Sequence, residues 1–313
     1  MTPGKHYLSS DEIRPLAARS DFWGALLVLH CWGVIALALA LFSLWPNLLT
    51  AAVAVMVIGS RQLGFAILMH EASHNALFRS RALNQFAGDW LCGRPILADL
   101  AEYRQYHLQH HRHTQSEDDP DLLLSKPFPT TRASLRRKLI RDITGQTSIK
   151  QRTQQIMFAF KMAGDVEDAP SSQELAQAFS GSSLGRAIIA NIVVFYLFWA
   201  VGAWWWWLCF WLLPLLTWYQ LVLRVRNIAE HGAVEFSDNP LKNVRTTHAG
   251  PLTRLLLAPY WVNFHLEHHL VMHVPCRNLP KMHQLMLQKG HGPKMELGRN
   301  YWQVLLQASS KPA

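Results

Sequence analysis

Residues 187–223, AIIANIVVFYLFWAVGAWWWWLCFWLLPLLTWYQLVL, run for 37 positions without an Asp, Glu, Lys or Arg. A helix needs about 20 apolar residues to cross the hydrocarbon core of a bilayer, so this stretch is long enough for two crossings. Gly202 and Ala203 interrupt it near the middle and mark the expected turn. The stretch therefore predicts a hairpin of membrane helices at residues 187–202 and 204–223.

A second apolar hairpin precedes it. Residues 24–45, GALLVLHCWGVIALALALFSLW, contain no formal charge, and the chain turns at Pro46 and returns through residues 48–69. Arg61 interrupts the returning helix, and a charged side chain at that depth is costly unless it pairs or reaches the surface. We expect this helix to leave the bilayer near Arg61 and continue into water; the alternative is a partner for Arg61 inside the helix bundle.

The sequence thus predicts an all-α integral membrane protein of one domain, residues 1–313, with four transmembrane helices. Half of the residues are apolar and only 16% are charged, which excludes a disordered chain. The four cysteines form no CxxC pair, so neither a disulfide framework nor a zinc ribbon is encoded. Outside the spans lie a tail and the two parts of a helical cap, at residues 1–22, 70–186 and 224–313.

Basic residues in the tail and the cap set the expected orientation. Lys and Arg are enriched in cytoplasmic loops, so both termini and the cap should lie on the cytoplasmic side of the membrane. Residues 125–185 are more polar and predict short helices on that membrane surface. Four consecutive tryptophans, residues 204–207, suit an interfacial belt of indoles better than a packed core.

Histidines form four groups that follow the spans. They lie in HEASH (residues 70–74), HLQHH (107–111), NIAEH (227–231) and HLEHH (265–269). The HxxHH pattern should arise by chance about 0.04 times in a chain of this composition, yet it occurs twice. On a helix, positions i, i+3 and i+4 share one face, so each motif directs its imidazoles to a common side.

The number of these imidazoles indicates more than one metal ion. A zinc ion takes three or four protein ligands, whereas these motifs supply eight or nine. Imidazole binds Zn, Cu, Fe and Ni, so the ligand type alone does not select the metal. The residues therefore predict a two-metal site, with the division of ligands between the two ions left open.

These boxes, together with four spans, resemble the membrane fatty acid desaturase superfamily. The stretches HEASHNALF (70–78), HLQHHRHT (107–114) and HLEHHLVMHVP (265–275) match its HxxxH, HxxHH and HxxHH boxes, and RNIAEHG, NVRTTH and NFHLEHHLVMHVPCRNLPKMH resemble its bacterial branch. The resemblance runs from about residue 48 to residue 283.

The resemblance implies a site with two iron ions that uses O2 as co-substrate. It implies that His231 is the ninth ligand and that Asn227, four residues earlier, reaches one iron through water. The nine ligands implied as a set are His70, His74, His107, His110, His111, His231, His265, His268 and His269.

Polar residues beside the boxes are expected to have lesser roles. Glu71, Glu230 and Glu267, like Glu102, should lie off the ligand face, where a carboxylate can hold a ring N–H; an ordinary solvated charge is equally compatible. His113 and His273 are candidates for the same outer role, although His273 could replace a ligand. We interpret residues 118–121, DDPD, as a turn rather than as partners of His107 or His111. His30 should serve packing or a hydrogen bond between helices, and surface or capping roles are expected for His248, His283 and His291.

The resulting functional hypothesis is an O2-dependent desaturase of a fatty acyl lipid taken from the bilayer. Hydroxylation or ketolation of a lipid or carotenoid-like substrate is the alternative on the same scaffold; a membrane zinc hydrolase or a metal transporter is less favoured. The chain shows no cysteine cluster, so electrons should come from a separate donor such as a ferredoxin with its reductase. Residues 132–141 are basic and suit lipid headgroups or an acidic donor, and nucleic acid is not an expected partner.

Overall fold

The structure is a computed structural model that describes residues 3–160 and 181–312, and these residues are mostly helical, with almost no strand. The α-helices are α1 (Ser10–Leu16), α2 (Asp21–Leu44), α3 (Leu48–Ser73), α4 (Arg81–Phe86), α5 (Leu100–His113), α6 (Leu122–Ser125), α7 (Arg132–Ile143), α8 (Gln146–Ala159), α9 (Gly181–Val201), α10 (Trp204–Trp207), α11 (Leu213–Leu216), α12 (Trp218–His231), α13 (Pro251–Leu256), α14 (His265–Leu270), α15 (Leu279–Gln288) and α16 (Tyr301–Ala308). Two short parallel strands, β1 (Thr246–Thr247) and β2 (Leu297–Gly298), pair in the cap. Turns of π-helix lie at Ala87–Gly93 and Leu208–Leu212.

Within residues 3–160 and 181–312, four helices are long and apolar enough to cross a membrane, which confirms the predicted number of spans. They are Asp21–Leu44, Leu48–Ser73, Ser183–Val201 and Trp204–His231. The helix α2 begins at Ser20, whose hydroxyl accepts from the Trp23 N–H, and α3 begins at Asn47, whose side chain accepts from the N–H groups of Leu49 and Thr50. These caps satisfy backbone donors that the helix itself leaves free.

The second hairpin turns at residues 202–203. A Cβ on Gly202 would lie 2.5 Å from the Trp206 ring, so the close approach of the next helix requires glycine there. The indoles that follow do not share one environment. Trp204 and Trp205 are exposed, whereas Trp206 is buried against Phe42, so the expected belt omits Trp206.

The second span does not continue into water after Arg61. From Ile58 onward nearly all of α3 is buried by other parts of the chain, and Arg61 is only 3% exposed. Its Nη2 donates to the Leu255 carbonyl at 2.6 Å, and its guanidinium lies 5.6 Å from the centroid of the Tyr260 ring. The expectation of a solvated helix end was wrong, and a partner inside the fold satisfies Arg61. The physical reason is depth: Arg61 lies 13 residues after the start of α3, about 20 Å along the helix and within a hydrocarbon core of about 30 Å, where an unpaired charge is costly.

The cap packs around the ends of α3 and α12. Arg245 is 1% exposed, and its guanidinium donates to the carbonyls of Gly232 and Ala233 at 2.9 and 3.1 Å. These are carbonyls that a helix end leaves without partners, so Arg245 fixes the end of α12 in the cap. The expected surface helices are present as α7 and α8; residues 161–180 of that segment lie outside the described residues.

Candidate metal centre

Four helices bring the histidine boxes together. The end of α3 supplies the first box, α5 the second, the last residue of α12 is His231, and the short helix α14 forms the third box. All nine predicted histidines are buried or nearly so. The helical spacing explains each box, but only the packing of α3, α5, α12 and α14 makes the boxes face one another.

Five histidines form the first group. Their ligand atoms all lie within 4.8 Å of one another, in the set His70, His74, His107, His111 and His268. Nε2 of His111 lies 3.0 Å from Nε2 of His107 and 3.1 Å from Nε2 of His268. The Nε2 atoms of His107, His111 and His268 therefore face one point, and one proton there could form a hydrogen bond between only two of the three atoms.

Four histidines form a second group beside the first. Nε2 of His265 lies 2.9 Å from Nε2 of His231 and 3.1 Å from Nε2 of His269. His110 joins His231 and His269 within the same 4.8 Å limit. The rings of His111 and His269 stack with centroids 4.1 Å apart, so the two groups adjoin. The geometry thus divides the nine side chains into five and four.

The ring nitrogens of both groups suit metal ions. Two nitrogens bound side by side to one ion, each at about 2.1 Å, lie about 3 Å apart, which is the spacing observed here. Buried ring nitrogens of His70, His74 and His110 have no hydrogen-bond partner within the described chain. A bound cation would satisfy these atoms, so the residues present fit a metal site.

Burial also favours the protonation state that metals need. Burial lowers the pKa of His74 to about 3, and burial together with neighbouring imidazoles lowers the pKa of His107 and His268 well below its ordinary value. A metal-bound imidazole must be unprotonated. Burial therefore favours the unprotonated form of these three histidines, which is the form that binds a metal ion.

Asp119 orients His110, a role that the turn interpretation missed. Its Oδ1 accepts a hydrogen bond from Nδ1 of His110 at 2.8 Å, and its other oxygen accepts from the Gln115 N–H at 2.8 Å. Asp119 closes the turn and holds an imidazole at once, although the partner is His110 rather than His107 or His111. Burial lowers the pKa of His110, but Asp119 and Asp121 outweigh it and raise that pKa overall.

Glu267 lies in the third box, between His265 and His268 in the sequence, and accepts two short hydrogen bonds. It is fully buried, and it accepts from the Thr246 hydroxyl at 2.5 Å and from Nδ1 of His283 at 2.6 Å. Glu267 thereby anchors α14, and the expected surface role of His283 was wrong. Sixteen residues separate the pair, so no local spacing could have revealed it.

The other two candidate carboxylates also lie at the site. Glu71 accepts from the Cys276 N–H at 2.8 Å and lies 3.6 Å from Nδ1 of His70. Glu230 pairs with Arg226 at 2.5 Å and lies 3.3 Å from Nε2 of His265. Glu71 is thus placed beside a ring nitrogen of the cluster, as an outer partner would be. Glu230 instead lies against the same Nε2 atom that faces His231 and His269, and with His231 and His265 it forms a further group of possible metal ligands within 4.8 Å.

The remaining candidates lie farther out. His113 is partly exposed and lies 3.9 Å from Asp118, and His273 is partly exposed and belongs to neither histidine group. Asn227 lines a small cavity together with His231 and His265, and its Oδ1 accepts from Nη1 of Arg226 at 3.2 Å. Asn227 is thus placed beside the four-histidine group.

A larger cavity of about 300 Å³ reaches the first group between α3, α5, α8 and α12. His70 and Tyr103 line it at the cluster, and Tyr103 stacks on His107 with centroids 5.1 Å apart. Most of its remaining wall is apolar, including Leu63, Ile67, Ile96, Leu223 and Ile228. A largely apolar molecule can therefore lie in this cavity with one part against the histidines.

Within the described residues, four apolar helices and a buried cluster of histidines at the ends of two of them define a membrane protein with a candidate metal site. The model of the fatty acid desaturase family matches residues 43–297, and the chain therefore belongs to that family. It is also similar to dihydrorhizobitoxine desaturase of Bradyrhizobium elkanii, with 26% identity over 296 residues that cover 88% of this chain and 78% of the relative. The chain is thus a desaturase-like oxidoreductase.

Proposed function

We propose that this chain is an O2-dependent oxidoreductase that uses two iron ions to introduce a C=C double bond into a fatty acyl substrate. The observation that carries the proposal is the pair of adjoining histidine groups, five and four, at one end of an apolar cavity. One ion cannot use nine imidazoles, and two ions can. Membership of the desaturase family supports iron over the other metals that imidazole binds.

The nine histidines would hold the ions, and the bound irons would supply the oxidising power that removal of hydrogen from an unactivated C–H bond requires. The chain would supply binding, orientation and exclusion of water. Asp119 fixes the ring of His110, and Tyr103 stacks on His107 beside the cavity. Asn227 would contact one iron through a water molecule.

Metal content and product mass test the proposal together. Protein purified from cells supplied with iron should hold about two irons per chain, because the histidines form two groups. In a host of defined lipid profile, mass spectrometry should show acyl chains that have lost two hydrogen atoms. One zinc and no iron would contradict the proposal in favour of a zinc hydrolase, and gain of an oxygen atom would favour hydroxylation or ketolation.

The relative suggests a second substrate class. By its name it desaturates dihydrorhizobitoxine, and at 26% identity its substrate does not transfer directly. A product found in the host's small-molecule extract, with its membrane lipids unchanged, would favour such a substrate over a lipid acyl chain.

We further propose that the histidine cluster faces the cytoplasm and that a ferredoxin, renewed by its reductase, delivers the electrons. The helix α7 presents Arg132, Arg136, Arg137 and Arg141 to solvent, and none of them pairs with a carboxylate in the described part of the chain. A basic surface of this kind steers an acidic donor toward it and can also rest on anionic lipid headgroups.

Reversing charge on α7 should slow electron delivery. We expect Arg136→Glu with Arg137→Glu to lower turnover at limiting ferredoxin by about tenfold at low salt, with a smaller effect at high salt because screening weakens steering. Lys281→Glu with Lys294→Glu, also exposed, is the charge-matched control. Equal turnover and equal salt dependence in the two double variants would refute this docking face.

A further inference from the structure

Arg152 lies in the wall of the large cavity with one edge of its guanidinium unused. Its Nη1 donates to the Leu97 carbonyl at 3.3 Å and to Oε1 of Gln155 at 2.5 Å. Its Nε is buried and has no hydrogen-bond partner, and Nη2 makes no hydrogen bond within the described chain. Nη1 therefore fixes the side chain, while Nη2 has no partner in the described chain and can donate to an anion in the cavity.

The other cations of the cavity are neutralised by carboxylates of the chain itself. Arg224 pairs with Asp142, and Arg226 pairs with Glu230 through two contacts of 2.5 and 2.6 Å. No carboxylate in residues 3–160 or 181–312 pairs with Arg152. A guanidinium is always charged, and the side chain of Arg152 is partly buried, so its charge is only partly solvated by water. Among the described residues of the cavity wall, Arg152 is therefore the cation without a carboxylate partner.

Acidic groups of the cavity do not fill that role. Asp99 is bound by Arg94 at 2.6 Å, and Asp121 accepts from the Tyr106 hydroxyl. Glu102 also lines the cavity, and within the described residues no hydrogen bond or ion pair joins it to Arg152. These carboxylates therefore leave Arg152 without a counter-charge in the described chain.

We propose that Arg152 binds the carboxylate of the substrate, and that this protein acts on a free carboxylic acid rather than on an ester-linked or thioester-linked acyl chain. The inference rests on the proposed function of the histidine cluster. Guanidinium and carboxylate are both planar and match through two parallel hydrogen bonds. A phosphate carries about −1.5 to −2 charge and would call for more than one free cation. An ester in the same place would leave the guanidinium without a counter-charge.

Arg152 and the histidine cluster lie in the wall of the same cavity. Arg152, Tyr219 and Asn227 all line the cavity that reaches His70, and eight residues of the continuous helix α12 separate Tyr219 from Asn227. Eight helical residues rise about 12 Å. A carboxylate held at Arg152 would thus leave a carbon chain extended along the apolar wall toward His70, which would set the position of the new double bond.

Binding of decanoate and of methyl decanoate tests the inference without turnover. Calorimetric titration of metal-loaded protein in nanodiscs, without reductant, should show that wild type prefers the acid over the ester. Arg152→Gln should weaken binding of decanoate about 10- to 100-fold, since hydrogen bonds to charged groups contribute that much. Arg152→Lys should recover part of the loss, because it keeps the charge but not the planar fork. Lys150→Gln, an exposed change on the same helix, is the control and should bind as wild type does.

Equal binding of acid and ester by wild type would overturn the inference, as would unchanged decanoate binding in Arg152→Gln. If that variant does not fold, the acid and ester titrations of wild type and Arg152→Lys decide. The proposed function and the inference can be refuted independently. If decanoate binding depends on Arg152 but no desaturated product forms, the inference stands and the proposed function is refuted. If Arg152→Gln desaturates ester-linked chains at the wild-type rate, the proposed function stands and the inference is refuted.

Discussion

Replacing His268 with alanine should abolish product formation and remove at least one of the two irons. The ring of His268 lies in the middle of the five-histidine group, with centroids 4.4 Å from His70 and 4.9 Å from His74, and its Nε2 is 3.1 Å from Nε2 of His111. Outer partners of metal ligands typically account for about 10- to 100-fold in affinity or activity. Loss of a ligand should exceed that, and iron analysis with product mass spectrometry measures both effects.

A matched control separates this effect from a general loss of structure. His248→Ala removes an exposed imidazole that belongs to neither group, and it should keep both irons and wild-type product levels. The His268→Ala protein should still insert in the membrane, because the four spans do not depend on this side chain. Full iron content and activity in His268→Ala would rule out its role as a ligand.

The second large effect is expected at Asp119. Asp119→Ala leaves Nδ1 of His110 without its acceptor in a buried position, so the ring can rotate away from the four-histidine group. We expect iron affinity to fall about 10- to 100-fold, measured by competition with a chelator. Asp119→Asn should fall between wild type and alanine, because hydrogen bonds to a charged acceptor are roughly twice as strong as neutral ones.

The neighbouring carboxylate provides the control for this series. Asp118 is 83% exposed at its side chain and lies 3.9 Å from His113, outside both histidine groups. Asp118→Ala should therefore keep wild-type iron affinity. If Asp119→Ala retains iron as firmly as Asp118→Ala, then Asp119 only closes the turn after α5, as the sequence alone indicated.

Most of the fold follows from local patterns in the sequence. Uncharged runs such as residues 187–223 are long enough to cross a bilayer as helices. The hydrocarbon core offers no water to the backbone, and a helix pairs its own N–H and C=O groups internally. The spacing of the histidines likewise sets which of them share a helical face. Local patterns could not predict the environment of Arg61, since its partner, the Leu255 carbonyl, lies 194 residues away along the chain.

The sequence by itself determined the four spans and which histidines of each box share a helical face, because helix length and the 3.6-residue period are local properties; the set of nine ligands came from the resemblance to the desaturase superfamily. Only the tertiary structure decided how those histidines divide into five and four, and that Asp119, Glu267 and His283 support them. It also decided that Arg152 faces the cavity with no carboxylate beside it in the described chain. These features depend on which helices pack against one another, and that packing joins residues with no fixed separation in sequence.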